Sequence, residues 1–184
     1  MRVSFTSIKD AESSGVMKNK YYLITLLILV ADHITKWIVR IELYPREAIE
    51  VVPGYLRLRY MHNSGVAFGL FDEVQSVWKP YLLAGVAIIA IAVIVLYGLR
   101  VSRNRKLLQL SLAITLGGIL GNFMDRIFRG YVIDFIEFHI KDAFHWPTFN
   151  LADSAITIGI ALLLIDAIRS PVLEEKEQPA ASIK

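Results

Sequence analysis

The 184-residue chain has no cysteine, which excludes disulfides, a thiolate nucleophile and any cysteine-ligated metal. It leaves the redox compartment unread. Histidine is scarce, and His33, His62, His139 and His145 form no H-E-x-x-H pair, so neither a metal site nor a cofactor is expected. No internal repeat supports a transporter built from inverted halves. Ser64, Ser154 and Lys36 supply the residue types of a Ser–Lys protease, yet no local arrangement marks a nucleophile with its base. No A-x-A site follows the apolar run from Tyr21 to Ala31, so that run reads as a retained helix rather than a cleaved signal peptide.

What the chain has is apolar surface. Hydrophobic residues make up 55% and mean hydropathy is +0.49, too high for an ordinary soluble domain. The net charge of +3 is compatible with nucleic acid, but basic residues of membrane proteins collect beside cytoplasmic helix ends. No nucleic-acid partner is therefore expected. Crossing a ~30 Å hydrocarbon core takes about 20 helical residues, and four apolar runs suffice, at about 21–39, 81–99, 107–124 and 149–168. The fold class is a mainly α, four-helix transmembrane bundle forming one domain over 21–169, with tails at 1–20 and 170–184. Gly117 and Gly121 have the small-xxx-small spacing that lets helix backbones approach, so the third helix belongs inside the bundle.

Between Ile41 and Lys79 the texture changes to β-branched and aromatic residues with turns at Pro53-Gly54 and Asn63-Ser64-Gly65. This predicts a small β-rich platform, continued by a loop over 125–148. Phe68, Leu70 and Phe71 read either as a flap over a site or as platform packing on lipid. Trp37, Tyr131 and Trp146 suit a membrane interface. Arg100, Arg103, Arg105 and Lys106 cluster without an acid, whereas 41–79 mixes both signs. Both termini are thus expected in the cytoplasm, with the platform outside.

An ionisable group at membrane depth costs ~2.5–3.5 kcal/mol, so it usually serves function. Asp32 and Lys36, at i and i+4, read as an ion pair within the first helix. Asp134 and Asp153 stand at the two ends of the chain's return to the membrane. Brought together, they form a pair that shares a proton and activates water. Asp153 equally reads as an anion capping the fourth helix. Asn63, Asn122 and Asn150 offer neutral hydrogen bonds to position acids or peptide, and Asn122 equally serves buried backbone.

The stretches ADHITKW (31–37), MHNSGVAFGL (61–70), GGILGNFMDRIFRGYVIDF (117–135) and FNLADS (149–154) together resemble the motif set of lipoprotein signal peptidase, or signal peptidase II. The resemblance implies an intramembrane aspartyl protease that removes signal peptides from diacylglyceryl-modified bacterial prolipoproteins, cutting just before the lipidated cysteine. It implies catalytic roles for Asp134 and Asp153. It gives supporting roles to Asp125, with Arg126 as its ion-pair partner, to Asn63 and Gly65 of the N-x-G block, and to Asp32 and Lys36, beside the positioning role that Asn122 and Asn150 offer as neutral donors. The expected setting is the bacterial inner membrane, as a monomer contacting lipid, with the site near the outer face. The competing function is a small proton-coupled transporter using the same acids.

Overall fold

A computed structural model describes residues 19–44, 48–65, 78–102, 104–141 and 143–177. The expected tails before residue 19 and after residue 177, and the flap of Phe68, Leu70 and Phe71, lie outside these residues. Helices form where the apolar runs are: α1 over Asn19–Leu43, α2 over Lys79–Gly98, α3 over Lys106–Arg129 and α4 over Leu151–Glu177. Each is long and apolar enough to cross a membrane, α4 through its Leu151–Arg169 portion.

The four helices differ in what they face. On α2, Tyr81, Val86, Ile89, Val93 and Leu96 are exposed, an apolar surface that meets acyl chains in a bilayer. On α3 the small and polar residues Ser111, Ala113, Thr115, Gly118 and Asn122 are buried, and the helix packs against α1, α2 and α4. Packing in lipid depends on close backbone approach, because burial of apolar side chains gains little there. A Cβ on Gly117 would stand 2.9 Å from Ile28 Cβ on α1. One on Gly118 would fall inside van der Waals contact of the Ala152 carbonyl on α4. The expected pair Gly117 and Gly121 seats α1, while Gly118, which the small-xxx-small spacing does not single out, seats α4.

Gly130 ends α3 in the left-handed conformation, φ 78°, with its N–H bonded to the Arg126 carbonyl. The chain then enters a strand rather than the expected loop. β1 (Ile49–Val52), β2 (Leu56–Asn63), β3 (Val132–Ile140) and β4 (Phe144–His145) form one sheet in chain order, every pair antiparallel. Asp134 therefore sits on β3, and Asp125 and Arg126 on α3. The 125–148 stretch had no clear period of two because β3 buries both faces in its first half, where Val132, Ile133, Asp134 and Phe135 are all buried. The sheet packs on the end of α1 through Val39, Leu43, Ile133 and Phe135.

Candidate active site

Pairing of backbone brings the two ends of the site together. Phe149 exchanges hydrogen bonds with Ile136 on β3, N to O at 3.0 and 2.9 Å, which fixes the second residue before α4 opposite a strand position two residues from Asp134. Asn150 is the N-cap that follows. Its Oδ1 accepts from the Asp153 amide at 2.9 Å, and Asp153 Oδ2 accepts from the Asn150 amide at 3.2 Å, a reciprocal capping box. The third free amide of the helix start, that of Ala152, donates to Asp32 Oδ1 of α1 at 3.0 Å. α1 thus holds the N-terminus of α4 in place.

The asparagines tie the acids into one network. Asn150 Nδ2 donates to Asp134 Oδ1 at 2.7 Å, and Asn63 Nδ2 donates to Asp134 Oδ2 at 2.8 Å. Asn63 reaches it because β2 and β3 pair Met61 with Asp134 and Asn63 with Val132, so Asn63 is the diagonal neighbour. The Gly65 amide donates to Asn63 Oδ1 at 2.8 Å, an Asx turn that aims the amide at the acid. Asn122 Nδ2 donates to Asp153 Oδ1 at 2.7 Å, while Asn122 Oδ1 accepts from Lys36 at 3.0 Å and from Asn150 at 3.2 Å. Asn122 serves the acids rather than buried backbone, since its side chain meets three functional groups.

Behind this layer lies a buried charge cluster. Lys36 Nζ stands 2.7 Å from Asp32 Oδ2 and 2.8 Å from Asp125 Oδ2, all three side chains fully enclosed. The ammonium donates to Asp32 Oδ2 and to the Asn122 side-chain carbonyl, while Asp125 Oδ2 faces it as a charge rather than as a hydrogen-bond acceptor. Asp125 also pairs with Arg129, so two acids meet two bases and the cluster is neutral. The expected Asp32–Lys36 pair is present, but Arg126 does not pair with Asp125. Neighbours at i and i+1 point apart on a helix, whereas Arg129 at i+4 shares Asp125's face. Arg126 Nη1 instead donates to the Asn122 carbonyl at 3.3 Å, and its charge acts on Asp153 and Asp134.

Asp134 is only 2% exposed. Burial, reinforced by the nearby charge of Asp153, pushes its pKa up to about 6, against the pull of its two amide donors. Asp134 therefore holds its proton above the usual carboxylate range. Both acids line one cavity of about 530 Å³ whose other walls include Trp146, Pro147, Phe149, Ile156 and Ile158. Apolar walls with a few polar groups, Asn63 and the two acids among them, suit an apolar ligand presenting a reactive polar bond. Among the described residues no group of three His, Cys, Asp or Glu is placed to hold a metal.

Sequence reasoning missed a second buried acid on the sheet, Glu137. Arg57 grips it with two bonds of 2.8 and 2.9 Å, Arg59 with one of 3.3 Å, and His145 Nδ1 lies 2.9 Å away. Burial raises its pKa, but these partners outweigh burial and bring it down to about 2. Only the register Arg57↔Glu137 exposes the relationship.

The family described as Signal peptidase (SPase) II matches residues 24–169. The chain is similar to a lipoprotein signal peptidase of Francisella tularensis subsp. novicida (strain U112), 38% identical over 147 residues, 80% of this chain and 90% of that one. It is similar to another from Ectopseudomonas mendocina (strain ymp), 40% identical over 159 residues, 86% of this chain and 94% of that one. Two solved bacterial membrane enzymes, obtained by the in meso method at 2.3 and 1.9 Å, share the fold with TM-scores of 0.70 and 0.73 at 26% identity. The first match covers 94% of this chain and 99% of that one, the second 85% and 97%.

Proposed function

The chain belongs to the signal peptidase II family, and from that premise we propose that it cuts diacylglyceryl-modified prolipoproteins just before the lipidated cysteine, with Asp134 and Asp153 as the catalytic pair. It is a multi-pass membrane peptidase. The observation that carries the aspartyl assignment is the joining of the two acids through Asn150 on the wall of one cavity.

The division of labour follows from their settings. Asp153 lies in the first turn of α4, where the helix dipole and two N–H donors favour the carboxylate, so it accepts the proton of the attacking water. Asp134, whose pKa burial raises to about 6, donates to the scissile carbonyl oxygen as it becomes tetrahedral. The water oxygen bonds to the carbonyl carbon, giving a gem-diol, and the C–N bond breaks as Asp153 passes the water's proton to the departing amine and a gem-diol hydroxyl returns one to Asp134, leaving the new carboxyl group. Arg126 and Lys36 offset the negative charge of the site. The apolar walls receive the end of the signal helix and the acyl chains.

Asn63, Gly65, Asn122 and Asn150 hold the acids, and Asp32, Lys36 and Asp125 hold the helices that carry them. A single protease domain over 21–169 lies in the bacterial inner membrane as a monomer, with both termini cytoplasmic and the sheet outside, as the basic loop between α2 and α3 favours. The test is purified protein in detergent with a diacylglyceryl-modified prolipoprotein and its unlipidated counterpart. Release of the signal peptide from the lipidated form alone is expected. Equal cleavage of both, or ion flux through proteoliposomes in place of cleavage, would refute the reading.

A further inference from the structure

A second cavity, of about 390 Å³, is formed by Trp37, Arg40, Ile41, Tyr44, Tyr60, His62 and Tyr131, and the peptidase chemistry uses none of them. It lies on the opposite face of β2 from the acids. Asn63 turns toward Asp134 and Met61 accepts a bond from Thr148, while the alternating Tyr60 and His62 line the second cavity. From α1 come Trp37, Arg40, Ile41 and Tyr44, spaced i, i+3, i+4 and i+7, which is one helix face.

The cavity is a built aromatic box. The ring of Tyr60 stands edge-on to Tyr44 at 5.1 Å and to His62 at 5.0 Å, and His62 lies 3.8 Å from Tyr131 between centroids. Tyr60 Oη lies 2.7 Å from His62 Nε2 and shares a hydrogen bond with Tyr131. Burial, together with Tyr131, pushes Tyr60 up to about 12, so its phenol stays neutral. Arg40 is the one cation in the lining, and no acid among the described residues lines it.

Aromatic boxes often take quaternary ammonium ions, but the exposed Arg40 in the lining and no balancing acid there oppose a cationic ligand. An arginine with phenolic and imidazole donors suits a phosphate. Its depth points to the source. Counted from Tyr21, about 20 helical residues cross the ~30 Å core and bring α1 to Arg40. Trp37, 60% exposed, and Tyr44, 61% exposed, flank it as interfacial rings do. A phosphate at that level belongs to the bilayer.

We propose that this cavity is a binding site for the phosphate-bearing headgroup of an anionic phospholipid, separate from the catalytic cavity. A headgroup held there fixes the height of the sheet, and with it the catalytic cavity, against the membrane surface.

The test is retention of lipid by the full chain, released from bilayers of equal phosphatidylglycerol and phosphatidylcholine and weighed by native mass spectrometry. Phosphatidylglycerol should be retained about tenfold over phosphatidylcholine, as expected of one charge-assisted bond. Arg40→Gln should bring that ratio near one, and Tyr44→Phe should lower it about threefold by removing one donor. Arg100→Gln, a charge removed from the far end of the bundle, should leave it unchanged. Equal retention of both lipids by the unaltered chain would overturn the proposal, as would an unchanged ratio in Arg40→Gln. Displacement of the retained lipid by millimolar inorganic phosphate would make this a site for free phosphate and overturn the lipid assignment.

Discussion

Asn150 and Asp153 cap each other, with Asn150 Oδ1 accepting from the Asp153 amide and Asp153 Oδ2 accepting from the Asn150 amide. The acid that closes the first turn of α4 also lines the cavity it shares with Asp134, so the cap and the proposed catalytic role of Asp153 are compatible. The helix start fixes the carboxylate without a dedicated scaffold. Asn150 adds a third contact, its Nδ2 on Asp134, so one residue sets the position of both acids.

That double duty can be separated. Asn150→Ala should cost about 1 kcal/mol in stability from the lost cap and lower kcat at least tenfold. Asn150→Ser retains a good capping side chain but cannot reach Asp134 as the amide does. It should restore the thermal midpoint while kcat stays low. Recovery of kcat together with stability would assign Asn150 to the helix alone.

Asp134, with its pKa near 6, predicts the pH profile. The acid must carry its proton to assist the carbonyl, so kcat/KM should fall as pH rises through about 6, an apparent value belonging to the pair. Asn63 stabilises the ionised form through its 2.8 Å bond. Asn63→Leu should therefore move the falling limb to higher pH as well as lowering its height. A lesion that merely loosened the sheet would lower the profile without moving it.

The buried cluster should behave as a unit. Lys36→Met strands Asp32 and Asp125 away from water and should destabilise by about 3–5 kcal/mol, read as a fall in the thermal midpoint in detergent. Adding Asp32→Asn and Asp125→Asn removes the stranded charges and should recover part of the loss. No recovery in the triple variant would show that the charges are not what Lys36 supports.

How much of this was visible beforehand depended on whether the governing distance was local. The four helices were legible because twenty apolar residues in a row have few other destinations. The Asp32–Lys36 pair was legible because i and i+4 share a face. The same rule, applied to Asp125, leads to Arg129, and the choice of Arg126 went against it. The strand character of β3 was hidden by burial on both faces, and the Arg57–Glu137 grip by a cross-strand register that chain order does not encode. That Asp32 caps α4 at Ala152 could not be read at all, since it needs the helices already packed.

Helix approach offers a paired comparison. A methyl at Gly118 collides with the Ala152 carbonyl and stands 2.8 Å from Ile156 Cγ1, whereas one at Gly85 on α2 meets nothing within 4 Å. Gly118→Ala should push α4 away from α3, lowering the thermal midpoint and turnover together. Gly85→Ala should leave turnover intact and stabilise by roughly 0.5–1 kcal/mol through helix propensity. Equal tolerance of both would refute the close α3–α4 contact.

The central claim, that Asp134 and Asp153 together perform the hydrolysis, is tested most directly by single-turnover cleavage of a diacylglyceryl-modified prolipoprotein by Asp134→Asn and Asp153→Asn. Asp134→Asn removes a carboxylate that burial disfavours, so at neutral pH it should be at least as stable as the unaltered protein. Both variants should remain folded and release no signal peptide above background. Cleavage by either variant within tenfold of the unaltered rate would contradict the account.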